Sequence, residues 1–291
     1  MAQPAVMLGL RLPDVDRWSE RVVVALGQNP GAFTGPGTNT YLVGTGRERL
    51  LLDTGQGLPA YLPVLERALA FAGGVRLREI VLTHGHPDHL GGVRGIRERH
   101  GALRVSKRPW PALDAAMGCE VTAIDDGAVI EVEGATLRAV HTPGHAEDHL
   151  CFVLEEEGAI FSGDNVLGVG TTVIPAQGGD LGLYLRSLER LLEERPGAIY
   201  PAHGPRIPDG PAKLREYIAH RLEREREILA ALADGLDRVP ALVRRIYAAY
   251  PEALHAAAGS SVASHLRKLL REGRVAQEES ADPLEARWRL R

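Results

Sequence analysis

Residues 83–89 read Thr-His-Gly-His-Pro-Asp-His, which places the imidazoles of His84, His86 and His89 and the carboxylate of Asp88 on one short turn. Imidazole nitrogen and carboxylate oxygen are the donors that divalent first-row cations take. A tight turn splays consecutive side chains, so His84 and His86 can reach one ion while Asp88 and His89 reach a second. Gly85 and Pro87 suit such a turn. A lone histidine in a turn is more often a hydrogen-bonded residue than a ligand, but four ligand-type residues at this spacing reverse that expectation. Two ions about 3.5–4 Å apart can hold a bridging water, lower its pKa to near 7 and present hydroxide as the nucleophile. No side-chain nucleophile is then needed.

Three later segments repeat the grammar of a strand ending in a Gly- or Pro-bearing loop with one candidate ligand. They are residues 141–145 (His-Thr-Pro-Gly-His), 161–164 (Phe-Ser-Gly-Asp) and 200–204 (Tyr-Pro-Ala-His-Gly), offering His145, Asp164 and His203. Loops at strand ends are where a rigid scaffold presents functional groups. Taken singly, each reads equally well as turn chemistry; with the first cluster they complete a set. Asp88 and Asp164 are the groups suited to orienting an attacking water. Ligation rich in histidine and free of thiolate suits two Zn2+, with Mn2+ or Fe2+ as alternatives. Asp53, at a strand end, reads either as an acceptor for a ligand imidazole or as a turn former. His149 and His265 are the two candidates for a general acid, and each reads more readily as structural. Cys119 and Cys151 read as ordinary buried cysteines, so a reducing compartment is the natural setting.

Strands must position these loops. Apolar, β-branched runs predict strands at residues 21–26, 39–43, 49–52, 79–82, 129–132, 136–140, 150–154, 159–161 and 198–200. Apolar residues at helical spacing predict helices at 59–71 and 184–194. Strands interleaved with helices define an α/β protein with helix-covered sheets. The character changes after residue 211: a charged helix at 212–235 carries Arg221, Glu223, Arg224, Glu225 and Arg226 on its expected exposed side. Helices at 240–250 and 260–272 and a short strand at 273–275 then give a winged-helix-like pattern. His265, Arg267, Lys268 and Arg271 lie on the second of these helices. Two domains are expected, a catalytic one at 1–210 and a bridging helix with a winged-helix-like module at 211–291.

With 291 residues and 44% hydrophobic content, the chain can bury one large core and an appendage. No apolar run approaches the roughly 20 residues that span a bilayer, so no membrane segment is expected. The N-terminal residues lack the pattern of a secretory signal, which makes the cytoplasm the expected location, or the mitochondrial matrix in a eukaryote. Net charge is −4, with residues 1–210 at −7 and 211–291 at +3. That balance excludes a protein that coats duplex DNA through a broad basic face.

The order H-x-H-x-D-H, then His, Asp and His, resembles the metallo-β-lactamase superfamily over about residues 20–210. The resemblance implies an αββα sandwich in which His84, His86 and His145 hold one metal, Asp88, His89 and His203 a second, and Asp164 bridges both. True β-lactamases typically lack that bridging aspartate, so Asp164 points away from antibiotic hydrolysis. Residues 29–31, 37–46, 142–149, 170–173, 220–221 and 264–269 are similar to the endoribonuclease group of beta-lactamase-like protein 2. Likeness to that group implies cleavage of single-stranded RNA with two zinc ions and a C-terminal winged-helix-like domain. Residues 107–120 and 175–183 depart from the group's pattern, which leaves substrate choice open. The alternative is a thioesterase or lactonase acting on a small acyl substrate, since the same hydroxide attacks acyl carbon equally well.

Overall fold

The computed structural model describes residues 9–175, 178–249, 251–252, 255–278 and 284–291, without the side chains of 116 and 257. Residues 1–8 of the N-terminal stretch, which was read as lacking a secretory-signal pattern, and residues 176–177 of the departing segment lie outside the described residues. Strands β1 (Val15–Arg17), β2 (Val22–Leu26), β3 (Asn39–Val43) and β4 (Glu48–Leu52) run antiparallel. Helix α1 (Tyr61–Phe71) then crosses over to β5 (Arg76–Val81), parallel to β4. The ligand-rich turn continues into the short helix α2 (Pro87–Leu90) and into α3 (Val93–His100). Strand β6 (Arg104–Lys107), the short helix α4 (Pro111–Asp114) and β7 (Thr122–Ala123) complete a seven-stranded sheet in sequential order.

A second sheet holds β8 (Val129–Val132), β9 (Ala135–His141), β10 (Leu150–Leu154) and β11 (Ala159–Gly163). After helix α5 (Leu181–Glu193) it closes with β12 (Ala198–Pro201), giving the order β12-β11-β10-β9-β8.

The strands read as unbroken apolar runs because both faces of each sheet are covered. In β2, Val22 and Val24 point between the sheets to Tyr41, Leu52, Phe152 and Phe161. Val23 and Ala25 point the other way, to Leu65 and Leu69 of α1 and Ile96 of α3. The second sheet turns Val140, Cys151, Val153 and Ile160 outward against Leu185 and Leu188 of α5. Helix, sheet, sheet and helix thus form four layers, the αββα sandwich with its helices outside.

A separate core is built by helices α6 (Gly210–Ala233), α7 (Val239–Ile246) and α8 (His255–Arg271) with the hairpin β13 (Val275–Gln277) and β14 (Trp288–Leu290). Leu242, Val262, Leu266, Leu269 and Trp288 are buried in it. The helices and wing of the expected C-terminal module are present. Among the described residues, no helix is long and apolar enough to cross a membrane.

One expectation fails on α6. Glu223 and Arg226 are exposed, but Arg221, Arg224 and Glu225 are only 5%, 8% and 6% exposed. Positions 221, 224, 225 and 228 make one helical stripe, and here that stripe is buried despite its charges. Each charge has a partner. The Arg224 guanidinium lies 4.1 Å from the Tyr247 ring centroid, and Glu225 accepts from Lys268 at 2.6 Å and from Arg274 at 2.9 Å. The strands β1, β6, β7 and β14 carry no apolar run to mark them, since none has two adjacent apolar residues.

Candidate metal centre

The ligand turn leaves β5 through Leu82 and Thr83. His86 is the extended N-cap of α2 and Pro87 its first helical residue, where a missing N–H costs nothing. Asp88 and His89 therefore fall in a helical turn while His84 and His86 precede it. Side chains on the two sides of that boundary part into two groups. His84, His86, His145 and Asp164 offer ligand atoms within 4.8 Å of one another, and so do Asp88, His89 and His203. Asp164 faces both: its Oδ2 lies 3.5 Å from His145 Nε2, and its Oδ1 lies 3.1 Å from His203 Nε2 and 3.4 Å from His89 Nε2. All seven candidate ligands from the sequence are brought together in two groups, with the Asp164 carboxylate facing both.

The proton placement suits cations. His89 Nδ1 donates to Asp53 Oδ2 at 2.8 Å, and His145 Nδ1 donates to the Val173 carbonyl at 2.8 Å. His203 Nδ1 faces the Gly37 carbonyl at 3.4 Å. A ring that donates through Nδ1 presents a bare lone pair at Nε2. Ring nitrogens of the first group also converge: His86 Nδ1 lies 2.9 Å from both His84 Nε2 and His145 Nε2. His89 Nε2, His203 Nε2 and Asp164 Oδ1 are buried without a hydrogen-bond partner. Orphaned buried acceptors are costly unless something positive sits among them. The donor set therefore fits a pair of divalent cations.

Electrostatics divide the two groups. Burial, then the neighbouring imidazoles, lowers the pKa of His84, and the same causes push His86 down to about 4. Burial also works against charge on His89 and His203. There the carboxylates outweigh it, chiefly Asp88 at His89 and Asp164 at His203, and both pKa values rise, His203 to about 9. The second group thus attracts positive charge strongly, while the imidazoles of the first stay neutral and offer lone pairs beside the Asp164 carboxylate. His86, Asp88 and Asp164 are the least buried members and form the open face of the cluster.

Supporting contacts come from residues of lesser prominence in the sequence. Asp53 adopts φ 61°, a region that Asp enters more readily than most residues, and its carboxylate accepts from Thr83 N at 2.8 Å as well as from His89. It is the imidazole acceptor of its two readings. Its replacement, Asp53→Asn, is expected to weaken metal binding at the second group 10- to 100-fold, by titration against a chelator, because His89 loses the acceptor that fixes its tautomer. His149 is fully buried behind Asp164: its Nε2 accepts from the Asp164 backbone N–H at 3.1 Å, and its Nδ1 meets Thr142 Oγ1 at 2.9 Å. A side chain on Gly163 would collide with that ring. His149 therefore shapes the Asp164 loop, and neither it nor the equally buried His265 opens onto the cleft. Lys107, in the segment that departs from the group pattern, is buried beneath the turn and pairs with Asp148 at 2.8 Å and Asp114 at 2.7 Å.

Residues 33–203 match the model of the metallo-beta-lactamase superfamily, and the chain belongs to that superfamily. Residues 239–288 match the beta-lactamase associated winged helix domain. The chain is 42% identical to the lactamase-like protein adaB of Aspergillus niger, over 96% of this chain and 88% of that one. It is 43% identical to an atrochrysone carboxyl ACP thioesterase of Aspergillus chevalieri, over 83% of this chain and 78% of that one. A solved metallo-beta-lactamase family protein of Thermus thermophilus is 26% identical. It superposes with a TM-score of 0.75, covering 94% of this chain and 100% of that one.

Proposed function

We propose that this chain is a metal-dependent thioesterase that hydrolyses an acyl group carried as a thioester on an acyl carrier protein. The observation that carries the reading is the 43% identity, across most of the chain, to a relative named as an ACP thioesterase. It favours the acyl alternative over the ribonuclease reading.

Two features of the site support it. A cleft of about 430 Å³ lined by Pro30, Phe33, Leu58 and Pro87 runs up to Asp88. Phe33 is 70% exposed and Leu58 38%. Apolar side chains held open to solvent beside a reaction centre suit an acyl chain better than a phosphodiester backbone. The second feature is the leaving group. Hydrolysis adds the hydroxyl of water to the acyl carbon, breaks the C–S bond and leaves the proton with the departing sulfur, giving a carboxylic acid and a thiol. A thiol has a pKa near 8.5, so its thiolate departs with little help, whereas an RNA alkoxide is far more basic. Both histidines considered as general acids are buried away from the cleft, which is compatible with the easier leaving group.

When bound, the cations supply Lewis acidity toward the carbonyl oxygen and lower the pKa of water. Asp88 and Asp164 accept hydrogen bonds from the attacking water and aim it. The wall at Phe33 and Leu58 orients the acyl group.

The reading is tested by incubating the metal-loaded protein with acyl thioesters of N-acetylcysteamine and of holo acyl carrier protein, following thiol release, beside a labelled single-stranded RNA. Thiol release with intact RNA is the expected result. RNA cleavage without thioester turnover would restore the ribonuclease reading.

A further inference from the structure

A short segment links the C-terminal unit to the metal centre. Residues 171–175 have no regular secondary structure, yet the Val173 carbonyl is the group that His145 Nδ1 contacts at 2.8 Å, with Thr172 Oγ1 a second neighbour at 3.2 Å. Val173 is 43% exposed, so its own side chain does not hold this backbone in place. The two flanking carbonyls are held from the other side. Arg221 of α6 donates Nη2–H to the Thr172 carbonyl at 2.6 Å, and Ser264 of α8 lies 3.3 Å from the Ile174 carbonyl. Carbonyls 172 and 174 thus face the C-terminal helices while carbonyl 173 faces His145.

We propose that the C-terminal unit is a positioning element of the metal centre, acting chiefly through Arg221, which fixes the Thr172–Val173 backbone and thereby the orientation of His145. Arg221 is suited to this: it is 5% exposed, and its hydrogen bond is charge-assisted. Its guanidinium also lies 5.5 Å from the Tyr184 ring centroid. Tyr184 packs directly on Gly144, the neighbour of His145, so closely that a side chain at 144 would overlap it. Arg221 therefore reaches His145 by two routes. Ser264 contributes less, because its single proton is shared with the Ser260 carbonyl at 3.0 Å. Tyr217 of α6 anchors the start of the same loop, donating to the Gly170 carbonyl at 2.8 Å. On this account the winged-helix-like unit braces the hydrolytic site from behind, and its buried charged stripe on α6 is part of the brace.

The test measures the affinity of each of two metal equivalents by competition with a chromophoric chelator, using Zn2+ alone, with thermal unfolding in parallel. Arg221→Met is expected to weaken one equivalent 10- to 100-fold, the range for loss of a group that orients a metal ligand, and to leave the other within about threefold. The Co2+-loaded variant is expected to show an altered visible spectrum for that same equivalent. Leu266→Ala, buried in the C-terminal core, serves as the control: it lowers Tm without weakening either equivalent. Should Arg221→Met not fold, Arg221→Lys is measured instead, with an expected loss of about tenfold, because lysine lacks the rigid fork. Unchanged affinities in the arginine variant, an equal weakening in Leu266→Ala, or a wild-type protein that binds no metal would each overturn the proposal.

Discussion

Asp164→Ala is expected to lower kcat/KM for thioester hydrolysis on the order of 1,000-fold, with the protein still folded. Its two oxygens face the two ligand groups separately, Oδ2 toward His145 and Oδ1 toward His203 and His89. Removing it takes one anionic donor from each group and the acceptor that aims the water. Lewis-acid stabilisation contributes several kcal/mol, and each 1.36 kcal/mol is a factor of ten in rate, so a thousandfold loss corresponds to about 4 kcal/mol. Asp164→Asn keeps the shape and one acceptor but loses the charge, and it is expected to fall nearly as far. Steady-state rates for the two variants at full metal loading check this. A loss below tenfold in both would show that Asp164 does not join the two groups.

The second large effect is on stability. Stripping metal with a chelator is expected to lower Tm by roughly 10 °C and to abolish turnover, both reversed by re-addition. A ligand that binds only the folded state at 1,000 times its Kd stabilises that state by about 4.1 kcal/mol, and each kcal/mol moves Tm by about 2–4 °C at 150–250 residues. The structural reason lies in the orphaned atoms. His89 Nε2, His203 Nε2 and Asp164 Oδ1 are buried without a well-formed hydrogen bond, and a cation among them removes that penalty. Calorimetry of the stripped and reloaded protein checks the shift; identical Tm values would mean that the site is already satisfied without metal.

Much of the site was legible because its residues cluster in sequence. The turn from His84 to His89 carries four of the seven candidate ligands, and a proline at the first position of α2 divides them as expected. His145, Asp164 and His203 were legible from the strand-end loops that present them. The supporting residues were harder to see. Thr83, the Val173 carbonyl and Arg221 act through hydrogen bonds between segments up to 49 positions apart, and a backbone carbonyl leaves no mark in sequence. Asp53 could be recognised as one of two readings, and the hydrogen bond it accepts from His89 Nδ1 decides between them.

The layers of the fold were legible for the same reason that they are stable. Strands covered on both faces read as apolar runs, and α1 and α5 read as periodic stripes. The failure on α6 was physical. A charged stripe normally means a solvated face, but here Arg221, Arg224 and Glu225 are buried because the segment at 171–175 and the rest of the C-terminal unit supply partners for them. Substrate was the least legible feature, since one centre serves attack at phosphorus and at acyl carbon alike. The wall at Phe33 and Leu58 and the identity to an ACP thioesterase come from the folded cleft and from comparison.

The most direct test of the metal centre is an anomalous difference map from crystals of the Zn2+-loaded protein, collected on both sides of the zinc absorption edge. Two peaks are predicted, one among His84, His86 and His145 and one among Asp88, His89 and His203, with the Asp164 carboxylate between them. A single peak, or peaks elsewhere on the chain, would contradict the dinuclear centre on which the hydrolytic account rests.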